Sequence, residues 1–200
     1  GKVIDGSGLT IAPGFIDMHA HSDLAVLTDK QHLAKVTQGV TMEVVGQDGL
    51  SYVPSNPETL LELREQLFGW NADPSDLKWD FHSVSEYLSR VDKGSAVNIA
   101  YLIPHGSVRM LVRGNEPGVA NENELKQMVN LVETGMKEGA FGLSAGLTYT
   151  PAMYADDQEI IELCKIVAKY GGYYAPHHRN YGAKFLDAVS DCLDIARHSK

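Results

Sequence analysis

Apolar, β-rich runs alternate with stretches of helical period along nearly the whole chain. The β-rich runs are GFIDM (14–18), VTMEVVG (40–46), AVNIAYLI (96–103), AFGLS (140–144) and GGYYAPH (171–177). Between them lie segments of helical period over 29–38, 58–70, 83–91, 122–139 and 158–171, and a last one from about 183 to the end. Over 122–139 the apolar residues recur at i, i+3, i+4 and i+7, which marks one buried helix face. Helix stops are well signalled by Gly139 after Lys137 and by Gly171–Gly172 after Lys169. Strand, helix, strand in steady alternation predicts βαβ units and a parallel sheet, so the class is α/β with about five such units. The longest irregular stretch, 51–82, is polar and Pro-rich and fits an insertion or an active-site loop.

Composition sets the outer bounds. The chain has 200 residues, 44% of them hydrophobic and 22% charged, enough for one or at most two globular domains with a sizeable core. A formal net charge of -9 argues against nucleic acid or an anionic membrane surface as a partner. Cys164 and Cys192 lie in helix-like segments and are expected to be reduced thiols, not a disulfide framework. No secretory leader and no run long enough to span a bilayer is visible, which points to a cytoplasmic location. The chain opens in mid-pattern without Met and closes inside a helical segment, so it is expected to be part of a longer one.

The chemistry-bearing residues gather where β-rich runs end. In α/β folds ligands bind beyond the carboxyl ends of the strands. His19 and His21 follow GFIDM, and residues i and i+2 of an extended chain face the same side. Two imidazoles on a rigid support suit Zn, Fe, Ni or Cu. Asp17 and Asp23 are placed to orient a ring nitrogen. Asp48 turns the chain just after VTMEVVG, at the same rim, within an Asp-Gly pair that is also a common turn. In YYAPHHRNYG, alternation puts His177 and Arg179 on one side and His178 on the other, so either histidine could be a ligand. His105, just past the third run, is expected to make a structural hydrogen bond more readily than to touch substrate. His32, His82 and His198 read as surface groups, and Met42, Met110 and Met153 as core or pocket packing.

Several of these motifs, in this order, resemble the amidohydrolase superfamily, and most closely the N-acyl-D-amino-acid deacylases (D-aminoacylases). IDGSGLTIAPGFIDMHAHSD is similar to the passage from a small β-sandwich domain into the first barrel strand with its HxH. GVTMEVVGQDGLSYVP, VNIAYLIPHGSVR, EGAFGLSAGLTYTPAMYAD and YYAPHHRNYG resemble the second to fifth strand segments. The resemblance implies a metal-dependent (β/α)8 TIM barrel. Such a barrel takes about 250 residues, so about five units are a partial one. It places residues 1–12 at the end of the sandwich domain and 13–200 in the first part of the barrel.

Carried over residue by residue, the resemblance makes His19, His21 and His177 metal ligands, with His178 a neighbour. Arg179 would hold a substrate carboxylate through a bidentate contact, and Tyr149 would line the substrate pocket. The family usually has Cys where this chain has Asp48; a carboxylate remains a competent ligand and can bridge two ions, and being harder than thiolate it can shift the preferred metal. The implied cofactor is a divalent metal, zinc first, as one or two ions. The implied partner is a small N-acylated amino acid, and the reaction is amide hydrolysis by metal-activated water. No catalytic acid–base residue is assigned in this chain; the resemblance places the family's sixth-strand His ligand, and its eighth-strand Asp for the acid–base role, beyond residue 200. Two rivals remain: a cyclic amidohydrolase of the dihydroorotase or hydantoinase kind, and a barrel relative without catalysis. AFGLSAGL has no Lys of the kind the former carry on the fourth strand.

Overall fold

The computed structural model describes all residues, 1–200. Five strands lie in one parallel sheet in chain order: β1 (Phe15–Asp17), β2 (Val40–Val45), β3 (Asn98–Pro104), β4 (Gly142–Gly146) and β5 (Tyr173–His177). The registers run Asp17 to Glu43, Val45 to Tyr101, Leu102 to Gly142 and Gly146 to His177. The carboxyl ends of all five therefore reach one rim. The sheet is an α/β half-barrel, curled and unclosed, with β1 and β5 as its edges.

The connections are helical. They are α1 (Ala25–Thr28) and α2 (Leu33–Val36), α3 (Pro57–Asn71), α4 (Val84–Val91), α5 (His105–Arg113), α6 (Glu122–Lys137), α7 (Asp157–Lys169) and α8 (Phe185–His198). Four of them start where the sequence supplies partners for the first free N–H groups. Asn56, Ser83 and Asn121 each form a reciprocal capping box, and Asp156 accepts the Glu159 amide. Gly139 and Gly171, at φ 109° and 73°, take the chain out of α6 and α7.

The core lies between sheet and helices. Val45, Tyr101, Ile103, Leu143 and Ala145 meet Val84, Tyr87, Met128, Val132, Ile160, Leu163 and Val167 there, all buried. Each such aliphatic side chain contributes about 1.5–3 kcal/mol on burial. The opposite, concave face holds the smaller cluster of Val44, Ala100 and Leu102.

Three expectations are corrected. The segment 29–38 is helical only over α2, which starts after His32 at φ 44° and ψ 44°. His32 is not a surface group either, because its ring is buried against Glu43, Nε2 to Oε2 2.8 Å. Glu43 lies fully buried on β2 and is satisfied by that ring, by Lys35 Nζ at 2.7 Å and by the Ser22 hydroxyl at 3.1 Å. Residues 105–113, read without a helix, form α5. Helix α3 takes up the helical period read over 58–70, and 51–56 and 72–82 are the irregular parts of the stretch 51–82.

Candidate metal centre

The strand ends assemble the cluster. His19 and His21 follow β1, His177 closes β5, and Asp48 sits in a single 3-10 turn, Gln47–Gly49, directly after β2. His19 Nε2 lies 3.2 Å and His21 Nε2 3.1 Å from the same oxygen, Asp48 Oδ2. The other oxygen, Oδ1, lies 3.6 Å from His177 Nδ1. One ligand atom from each of His19, His21 and Asp48 falls within 4.8 Å of the others. Two ligands on a tetrahedral zinc with bonds of about 2.0–2.1 Å stand about 3.3 Å apart. Imidazole nitrogens and a carboxylate at these separations fit a divalent metal, with the carboxylate placed between the β1 pair and the β5 histidine.

Charge in the cluster is mutually adjusted. The hydrogen bond to Asp48 holds the His21 imidazole above its ordinary value, against the opposing effect of burial. Burial pushes the Asp48 carboxyl up, and the His21 hydrogen bond with the three imidazoles more than reverses this, leaving it below the usual carboxylate range.

The turn that carries Asp48 is unusual backbone. Gly46, Asp48 and Gly49 have φ of 74°, 55° and 75°. Asp is one of the few side chains that enters this left-handed region readily. A Cβ on Gly46 would collide with the Leu102 carbonyl, so the chain passes β3 there with no room to spare.

The remaining expected residues are placed as follows. The Tyr149 hydroxyl donates to the Asp48 carbonyl, and its ring stands edge-on to His177 with centroids 5.4 Å apart. Burial and the nearby Asp48 carboxylate push its phenol up. Arg179 donates through Nη2 to the Ala155 carbonyl at 2.8 Å and to Asp157 Oδ1 at 3.0 Å. Between the two adjacent histidines, His177 faces Asp48, while His178 stacks on Tyr181 at 4.0 Å. His105 is fully buried on Glu159, Nε2 to Oε1 2.7 Å, as a structural hydrogen bond. Asp17 and Asp23 do not hold imidazoles. Asp17 accepts the His19 backbone N–H at 3.1 Å and pairs with Lys35; Asp23 accepts the Gly46 N–H at 3.0 Å and the Ser51 hydroxyl at 2.5 Å.

Three neighbours were not read from the sequence. Thr148 Oγ1 lies 3.1 Å from His177 Nε2, on the ring nitrogen opposite the one that faces Asp48. The Trp70 ring, at the end of α3, stands 4.8 Å from His21. Tyr181 stands 4.8 Å from His177. A lone hydroxyl and two surface aromatics leave no spacing signal.

Comparison with known proteins extends this picture. The profile described as an amidohydrolase family matches residues 2–186. A D-aminoacylase of Alcaligenes xylosoxydans xylosoxydans is 34% identical over 198 residues, which cover 97% of this chain and 39% of the relative. An N-acyl-D-aspartate deacylase of the same organism is 33% identical over 197 residues, 98% of this chain and 38% of the relative. Among solved structures, an N-acyl-D-glutamate deacylase from Bordetella bronchiseptica, complexed with zinc and a phosphonate inhibitor, superposes with a TM-score of 0.80 at 27% identity, covering 94% of this chain and 38% of that one. The chain thus spans about two fifths of the length of the curated relatives it matches.

Proposed function

This chain belongs to the amidohydrolase family, and on that premise we propose that the protein is a metal-dependent hydrolase cleaving the amide bond of N-acyl-D-amino acids. The convergence of His19 and His21 on one oxygen of Asp48, with His177 facing the other, carries the reading. His19, His21, Asp48 and His177 are the proposed ligands, and Asp48 is the natural bridge if two ions bind. A bound zinc or similar divalent ion would polarise the scissile carbonyl and make hydroxide accessible near neutral pH.

The chain's own residues bind, orient and exclude water. The His19 and His21 nitrogens that face Asp48 would turn their lone pairs to the ion together with the carboxylate. Thr148 holds the far nitrogen of His177, which leaves Nδ1 turned to the cluster. Tyr149 and Trp70 wall the two sides of the histidine group with aromatic surface. Arg179 is the proposed carboxylate clamp: Nη2 is committed to Ala155 and Asp157, and its other N–H donors remain for a substrate carboxylate. The general acid–base group is assigned to none of these 200 residues.

Two further parts of the reading concern the whole protein. Residues 1–12 carry no strand or helix, and Val3 and Ile11 stand 93% and 95% exposed, which supports their reading as the end of a separate β-sandwich domain, with the barrel from 13 on. A cytoplasmic location rests on the free cysteines; no helix is long and apolar enough to cross a membrane.

Elemental analysis of the intact protein, purified without chelator, tests the proposal together with hydrolysis of N-acetyl-D-amino acids. Two ions per chain support Asp48 as a bridge, and one ion makes the site mononuclear. No metal after reconstitution with zinc overturns the proposal.

A further inference from the structure

Strands β1, β2 and β5 each deliver a donor to the cluster, whereas β4 reads Gly-Leu-Ser-Ala-Gly and offers no imidazole, thiol or carboxylate. Its Ser144 is nevertheless fully buried, and both hydrogen bonds of its hydroxyl go to the turn after β2. It accepts from the Gly49 N–H at 3.0 Å and donates to the Gly46 carbonyl at 2.5 Å. Those two groups bracket Asp48. The contact is close on the backbone side as well: a Cβ on Gly146 would collide with the Asp48 carbonyl, and one on Gly49 with the Gly146 nitrogen.

We propose that Ser144 is a positioning residue, which sets the Asp48 carboxylate between the His19–His21 pair and His177 by gripping both sides of its turn. The inference rests on the reading of Asp48 as a metal ligand. A turn with left-handed φ at three of four positions is one that a free chain leaves readily. Its outer ends are held elsewhere. Asp23 binds Gly46 N–H and the Ser51 hydroxyl, and Ser107 binds both the N–H and the carbonyl of Ser51, at 3.1 and 2.7 Å. Ser144 grips the stretch between them, where a small rotation would swing the carboxylate away from one histidine set. In this chain the fourth strand therefore serves the ion through the second strand's turn, in the way outer partners orient metal ligands.

The test uses the intact protein, stripped by chelator and titrated with Co(II) while its visible d–d bands are followed. Hydrogen exchange of the peptide 46–51 is measured on the stripped protein. S144A is expected to bind Co(II) about 10–100-fold more weakly, with altered bands and faster exchange confined to 46–51. S144C, which keeps a weak donor and acceptor at similar size, is expected to fall between S144A and the unmodified protein. D48N is the reference for loss of the ligand itself. S144A with unaltered affinity, bands and exchange, beside a D48N that has lost binding, overturns the role of Ser144 and leaves the metal reading standing. Unmodified protein that takes up no cobalt overturns the metal reading and this inference together, and a D48N that binds as well as the unmodified protein overturns Asp48 as a ligand and this inference with it. If S144A does not fold, S144C decides: unaltered affinity and bands in it overturn the role of Ser144.

Discussion

Asp48 combines a backbone requirement with a chemical one, and the two can be separated by substitution. Asn enters the left-handed region as readily as Asp, so Asp48→Asn keeps the turn and removes the charge. The expected outcome is a fall in metal affinity of about 100-fold or more, read by titration with zinc, with an apo melting temperature close to that of the unmodified protein. Asp48→Cys restores a ligand of softer character, and competition between Zn(II) and Mn(II) should then shift toward zinc. Arg179 calls for a different readout. Losing a bidentate carboxylate clamp removes substrate binding, so Arg179→Lys should raise KM by about tenfold or more, in line with the weight of charge-assisted hydrogen bonds. Steady-state kinetics on N-acetyl-D-leucine would show this, and an unchanged KM would leave Arg179 a purely structural partner of Asp157.

At the scale of elements, α5 and α7 are joined by a buried ionic network. Glu159, in the first turn of α7, accepts from His105 and Arg109 of α5, and Arg109 also donates to the Gly118 carbonyl. Burial raises the Glu159 carboxyl, and its hydrogen bonds with His105 and Arg109 more than reverse that, so its value lies below the ordinary one. A carboxyl lowered on folding stabilises the native state fully above its unfolded value, about 4.3, and loses that contribution as pH falls toward and through the folded value. Urea midpoints should therefore hold steady from pH 7 to 5 and fall below about pH 4.3, and Glu159→Gln should flatten this fall. Because Gln leaves Arg109 buried without its counter-charge, it should also lower stability at pH 7 by about 3–5 kcal/mol.

The same elements show what could be read in advance. The five strands and the helices α3, α4, α6, α7 and α8 were legible from their apolar period, and in all of these helices but α8 a cap agrees with it, as in Asn121 before Glu122–Lys137. Helix α5 was not, because Pro104, Gly106 and two valines in IPHGSVRMLV read as turn and strand, and packing against the sheet overrides that propensity. His32 was missed for a related reason. Its burial answers Glu43, and the signal was the acid inside VTMEVV, not the histidine. His19, His21, Asp48 and His177 were legible as strand-end residues, whereas the hydroxyls of Ser144 and Thr148, which touch the Asp48 turn and His177, leave no pattern in a sequence.

For the whole molecule, the unclosed sheet is the dominant physical fact. Its edges β1 and β5 have unpaired ladder groups, and Phe15, Ile16 and Met18 stand more than half exposed at the β1 edge. Parallel strands are ordinarily covered on both faces, and exposed edges pair with other chains. A polypeptide of these 200 residues should accordingly self-associate, with light scattering that rises with concentration. The strand order carries another consequence. Every strand lies beside the one that precedes it in the chain, so on a ribosome each unit can dock as it emerges, without waiting for a distant partner. The histidine that faces Asp48 from β5 arrives last, well over a hundred residues after His19. A nascent chain thus acquires most of its core before His177 can join His19, His21 and Asp48, and the cell meets a folded surface before it meets the cluster.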